Sequence, residues 1–85
     1  MRLFSSREVL ITNANVHSAA LLIGEGIQPA CQVFQLNKSA TDVAHQLYDT
    51  LHKMDVLGAS ELLIEAPPNA PEWLAILDRL TRAAS

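Results

Sequence analysis

A single cysteine, Cys31, stands among the 85 residues. No disulfide can close within the chain, and a reducing compartment is expected. Flanked by Ala30 and by the strand-like Val33 and Phe34, Cys31 reads as a small apolar residue rather than a nucleophile. Lysine is scarce too, found only at Lys38 and Lys53, and six basic residues face nine acidic ones for a formal charge of −3. The basic side chains are scattered, whereas direct binding to a nucleic-acid backbone needs them clustered, so no direct nucleic-acid partner is expected. No apolar run approaches the ~20 residues of a membrane span. The opening "MRLFSSREVLITN" lacks the apolar core of a secretory signal, and the expected location is the cytoplasm, away from membranes. Repeats and low-complexity stretches are also missing. What the chain has in quantity is apolar side chain, 49% of residues, which argues against disorder. One domain over residues 1–85 is expected; chains of this size bury only about 60–65% of their unfolded surface, which leaves room for a dimer or another partner to add stability.

Along the chain, "EVLIT" at Glu8–Thr12 is a short apolar run rich in branched side chains, followed by turn chemistry in "NAN", and reads as a first strand. The continuous apolar run Ala19–Ile23 closes on Gly24-Glu25-Gly26 and reads as a buried strand leaving the sheet through a plain turn. A third strand is expected over Cys31–Leu36, after Pro29. Ser39 with Asp42 three residues on is a helix start. From there Val43, Ala44, Leu47, Tyr48, Leu51 and Met54 recur at three- and four-residue spacing as an apolar face, opposite Asp42, His45, Gln46, Asp49, His52 and Lys53. Gly58 is placed to end that helix.

"ELLIE" at Glu61–Glu65 has the length of a core strand, with the two glutamates marking its solvated ends. "APPNAP" stops it; Asn69 is positioned to cap the next helix and Pro71 to occupy its first turn. Trp73, Ile76, Leu77, Leu80 and Ala84 line one face of that last helix. The expected fold class is α/β: a small Rossmann-like sheet of about four strands with two main helices, in the order β-β-β-α-β-α. Short connections among the first three strands predict at least one antiparallel pair, and with so few helices a face or edge is left under-covered, a physical reason to expect association.

The stretches "AHQLYDTLHKMDVLGASELLIE" and "APEWLAILDRLTRAA" resemble the C-terminal domain of the longer form of threonylcarbamoyl-AMP synthase, whose catalytic part is the YrdC-like domain. The residues that carry the resemblance lie within 39–84: Ala44, Leu47, Tyr48, Leu51, Asp55, Gly58, Ile64, Glu65, Ala75, Ile76, Asp78, Arg79, Leu80, Ala83 and Ala84. "ALLIGEG" earlier is weakly similar to a strand of the same domain. That family makes threonylcarbamoyl-adenylate from threonine, bicarbonate and ATP for transfer-RNA modification. The resemblance implies a free-standing relative of the regulatory domain, without the catalytic part, acting by contact with another protein. Two departures from the family pattern bear on mechanism. His52 stands where an arginine is common, and Pro71 and Trp73 stand where glycines precede the last helix, which disfavours a phosphate at its amides.

The polar residues retained from the pattern are Asp55, Asp78 and Arg79, the candidates for ligand contact beside a structural role in holding a turn or a helix. Tyr48 and Trp73 are core residues or interface anchors; Trp73, at the expected exposed end of the last helix, is the preferred anchor. His45, Asp49 and His52 share a helix face, but two histidines about 10 Å apart along the axis cannot hold one ion. His17 has no ligand partner nearby in sequence. No catalytic residue, metal site or cofactor is expected, because no triad, ligand cluster or activated nucleophile can be assembled. Two functions remain: a non-catalytic accessory or interaction module, partnered by a second copy or by a separate YrdC-like catalytic protein, and a small-ligand or nucleotide-binding domain using strand ends near Thr12, Gly24 and Glu65.

Overall fold

The structure, a computed structural model, describes residues 1–84, and a helix already follows the first strand. β1 (Arg2–Phe4) leads into α1 (Arg7–Asn13), β2 (Ser18–Ile23) and β3 (Gln32–Leu36), followed by α2 (Ala40–Val56), β4 (Glu61–Glu65), a 3₁₀ turn over Pro71–Trp73 and α3 (Leu74–Ala84). The sheet runs β1-β4-β2-β3 with every pairing parallel. The α/β class and the four-stranded sheet are as expected. The order of the first part is not.

The run at Glu8–Thr12 is helical, and the first strand lies upstream in three residues that periodicity cannot resolve. Within α1 only Leu10 is fully buried. Ser6 precedes the helix with extended backbone, its hydroxyl donating to Glu8 Oε2 at 2.6 Å and holding that carboxyl below its ordinary range. Helix in place of strand lets β1 and β2 run the same way, and β2 and β3 are parallel too, joined by residues 24–31 without a helix, so the expected antiparallel pair does not form.

Right-handed crossovers then fix the layers. The β1-α1-β2 connection moves along the sheet in one direction and β3-α2-β4 in the other, so their helices belong on opposite faces. The core divides accordingly. Leu10 packs with Phe4, Ala20, Leu22 and Leu63 on one face. On the other, Val43, Leu47 and Met54 of α2 and Ile76 and Leu80 of α3 pack with Leu21, Ile23, Leu36 and Ile64. β2 is buried along its whole length, as a strand covered on both faces must be.

Local signals in the second half behave as read. Ser39 caps α2 by accepting from the Asp42 amide at 3.4 Å, and Gly58 takes φ +77° just past its end. The last helix starts differently: Ala70, not Asn69, precedes the 3₁₀ turn, with Pro71 in its first positions. Trp73 also departs from expectation. It is only 4% exposed and belongs to the larger core, because the 3₁₀ turn swings it under α3. Tyr48 does the reverse and stands 77% exposed on α2.

Cys31 is half-buried, its thiol directed at the Gln32 carbonyl, and burial raises its pKa. Less thiolate at a given pH means slower attack. Labelling by a disulfide reagent at pH 8 should therefore be slow in native protein and accelerate at least tenfold in urea; equal rates would contradict the burial.

Candidate functional site

Open α/β sheets bind ligands beyond the carboxyl ends of their strands. Here that edge carries a crevice of about 670 Å³, lined in part by Ser5, Ile23, Lys38, Glu65, Pro67 and Asn69. Glu65, one of the side chains lining it, is held in an ion pair. Arg7 Nη2 lies 2.7 Å from Glu65 Oε1 and Nε lies 3.0 Å from Oε2, with side-chain exposures of only 9% and 16%. The Ile23 amide donates to the same Glu65 oxygen at 2.7 Å, and Arg7 also donates to the Ile23 and Gly24 carbonyls at 3.1 and 3.0 Å. Glu65 is thus no solvated strand end. Hydrogen bonding to its carboxylate raises the pKa of Arg7.

This pair joins the α1 start, the end of β4 and the turn after β2. The turn is shaped around it: a Cβ at Gly26, where φ is +148°, would overlap Arg7 Nη1. The Gln35 side chain donates to the Gly24 carbonyl from the other side. For a ligand the consequence is negative. The amide and the guanidinium that an incoming anion would seek are already held by the chain's own carboxylate. Thr12, one of the three positions expected near strand ends, lies on α1, its hydroxyl donating to the Glu8 carbonyl at 2.9 Å. Among the described residues no cluster of three or more His, Cys, Asp or Glu side chains is placed to hold a metal ion. Nor is any helix long and apolar enough to cross a membrane.

A second concavity, of about 360 Å³, lies between α2 and α3. Met1, Leu51, Leu62 and Ala83 form its apolar part, and Tyr48, His52, Asp55 and Arg79 supply its polar side chains. None of these four side chains has a hydrogen bond or ion pair among the described residues. The contrast with their neighbours is plain, since Asp49 pairs with Lys53 and Asp78 with Arg82, each four residues apart along its helix. Of the residues read as candidates from the sequence, the fold brings Tyr48, Asp55 and Arg79 together here. Asp78 remains in its local pair, and Trp73 lies in the core. His45 and Asp49 lie exposed on the same helix, and His52 reaches the groove rim. Arg7 was missed as a functional position because its partner is 58 residues away.

A parallel sheet with helices on both faces and its crevice beyond the strand ends defines the Rossmann-like α/β class. Within that class, the family model described as threonylcarbamoyl-AMP synthase, C-terminal domain, matches residues 4–85, and the chain belongs to that family. The match extends the resemblance seen over 39–84 to almost the whole sequence. Neither the curated proteins nor the solved structures gave a match.

Proposed function

We propose that this chain is a non-catalytic accessory module of the threonylcarbamoyl-adenylate pathway of transfer-RNA modification, working in the cytoplasm by docking its α2–α3 groove onto a separate YrdC-like catalytic protein. One observation carries the reading: Tyr48 and Asp55 of α2 and Arg79 of α3, all on the family pattern, meet around an apolar floor with their polar groups unengaged among the described residues. Among the described residues none of the three side chains has a hydrogen-bond or ion-pair partner, and tyrosine and arginine over an apolar patch are the usual anchors of a protein interface. Membership of a family described as the C-terminal domain of a synthase supports a catalytic protein of that kind as the partner.

The alternative of a small-ligand or nucleotide site at the strand ends is disfavoured by the Glu65 carboxylate, which lines the crevice there and already engages the Arg7 guanidinium and the Ile23 amide. Calorimetric titration against a stand-alone YrdC-like domain tests the proposal. Binding is expected, with Tyr48→Ala and Arg79→Ala each weakening it by roughly 30-fold, the equivalent of about 2 kcal/mol per anchor. The chain alone should form no adenylate from threonine, bicarbonate and ATP. Absence of binding, or binding indifferent to both substitutions, would overturn the reading.

A further inference from the structure

The two edges of the sheet are unlike. β1 is three residues long and begins with Arg2, whose guanidinium lies over the Phe4 ring and 3.4 Å from Glu61. A short, charged edge of this kind resists pairing with another strand. β3 has no such protection. Its five residues, Gln-Val-Phe-Gln-Leu, contain no charge, proline or glycine, and its one pairing is to β2.

The Gly24 amide donates to the Leu36 carbonyl at 2.8 Å, which turns the backbone of Leu36 toward β2. Backbone direction alternates along a strand, so Phe34 and Gln32 also face β2, whereas Val33 and Gln35 present their N–H and C=O groups outward. Side chains follow the same alternation. Phe34 and Leu36 pack on the α2–α3 side, and Val33 on the α1 side. Phe34 and Val33 are only partly covered within the protomer.

The geometry points to a homodimer formed by antiparallel pairing of β3 with β3 of a second copy, across a two-fold axis at Phe34, giving one continuous eight-stranded sheet. A two-fold axis perpendicular to the sheet keeps each face on its own side, so only residues of equal parity can oppose one another. Centring on Phe34 satisfies this and uses the full strand. Val33 then exchanges backbone hydrogen bonds with Gln35 of the second copy, and the reverse. Phe34 meets its symmetry mate at a non-hydrogen-bonded position, where side chains approach most closely and aromatic pairs are favoured. Gln32 lies opposite Leu36. The seam brings no charge against charge, which matters for two copies that each carry −3. A second copy is the occupant because the strand is its own complement: its centre coincides with its aromatic residue, and its outward groups fall symmetrically on either side.

The surface is distinct from the α2–α3 groove, and the test separates them. Sedimentation equilibrium on the full chain across micromolar to millimolar concentration should show a monomer–dimer equilibrium. Gln35→Pro removes an outward amide, together with the side-chain bond to the Gly24 carbonyl, and leaves the β2 ladder in place, and Gln32→Lys places a charge at the seam; each should raise the dissociation constant at least tenfold. Tyr48→Ala should leave it unchanged. Should Gln35→Pro misfold by circular dichroism, hydrogen exchange on the unaltered chain decides: the Val33 and Gln35 amides gain protection with concentration. A monomer throughout, a dimer insensitive to Gln32→Lys, or no change in exchange at Val33 and Gln35 would overturn the assignment.

Discussion

Glu65→Ala is expected to lower the free energy of unfolding by about 3 kcal/mol, read as a fall in urea midpoint and in Tm on the order of 15 °C. The loss is large because the substitution does more than delete an exposed ion pair. It leaves the Arg7 guanidinium, only 9% exposed, without its counter-charge and the Ile23 amide without an acceptor. A buried charge stripped of its partner is costly, whereas surface pairs such as Asp49–Lys53 contribute at most about 1 kcal/mol. Arg7→Ala should lose a similar amount, since the Ile23 and Gly24 carbonyls lose a donor as well. The double variant should lose little more than either single one, because with both gone no orphaned charge remains. Additive losses would show that the two side chains stabilise the fold independently and that the junction is not a unit.

Trp73→Ala should cost about 3–5 kcal/mol, as the truncation of a buried aromatic does, with Trp73→Phe recovering most of it. Trp73 is the chain's one tryptophan, so native fluorescence should be blue-shifted and should move red in step with unfolding. Against a stability of about 5–15 kcal/mol for a domain, the alanine variant stands near the limit of folding. If instead its urea midpoint were unchanged and its mass in solution fell, Trp73 would be an interface anchor after all and the core would need redrawing.

The limits of sequence reading here have physical causes. α2 was legible because seventeen residues carry a sustained period, a serine cap and a terminal glycine. β4 was legible because three apolar residues stand between acids with prolines just beyond. "EVLIT" was not, since an apolar run of that length fits strand or short helix equally; Ser6, a residue type common at helix starts, lay outside the run. Tyr48 and Trp73 exchanged roles because periodicity assigns a side and not a depth. The 3₁₀ turn rotates Trp73 inward, and no neighbour covers the stripe at Tyr48. Site residues were legible singly. Tyr48, Asp55 and Arg79 could each be picked from the family pattern, but their meeting depends on two helices lying side by side. The Arg7–Glu65 junction depends on the order of strands, which no local signal encodes.

That strand order also governs how the chain comes to be folded. β4 lies between β1 and β2, so Arg2 finds its place only beside Leu63, and Ser18 only beside Glu61. A growing chain that has not reached Glu61 has a first strand with nothing to pair with and a Leu10 with half its shelter missing. Such separations make loop closure slow relative to local helix formation. α2 can therefore form early, and the sheet closes late, in one step, when β4 slides into the gap.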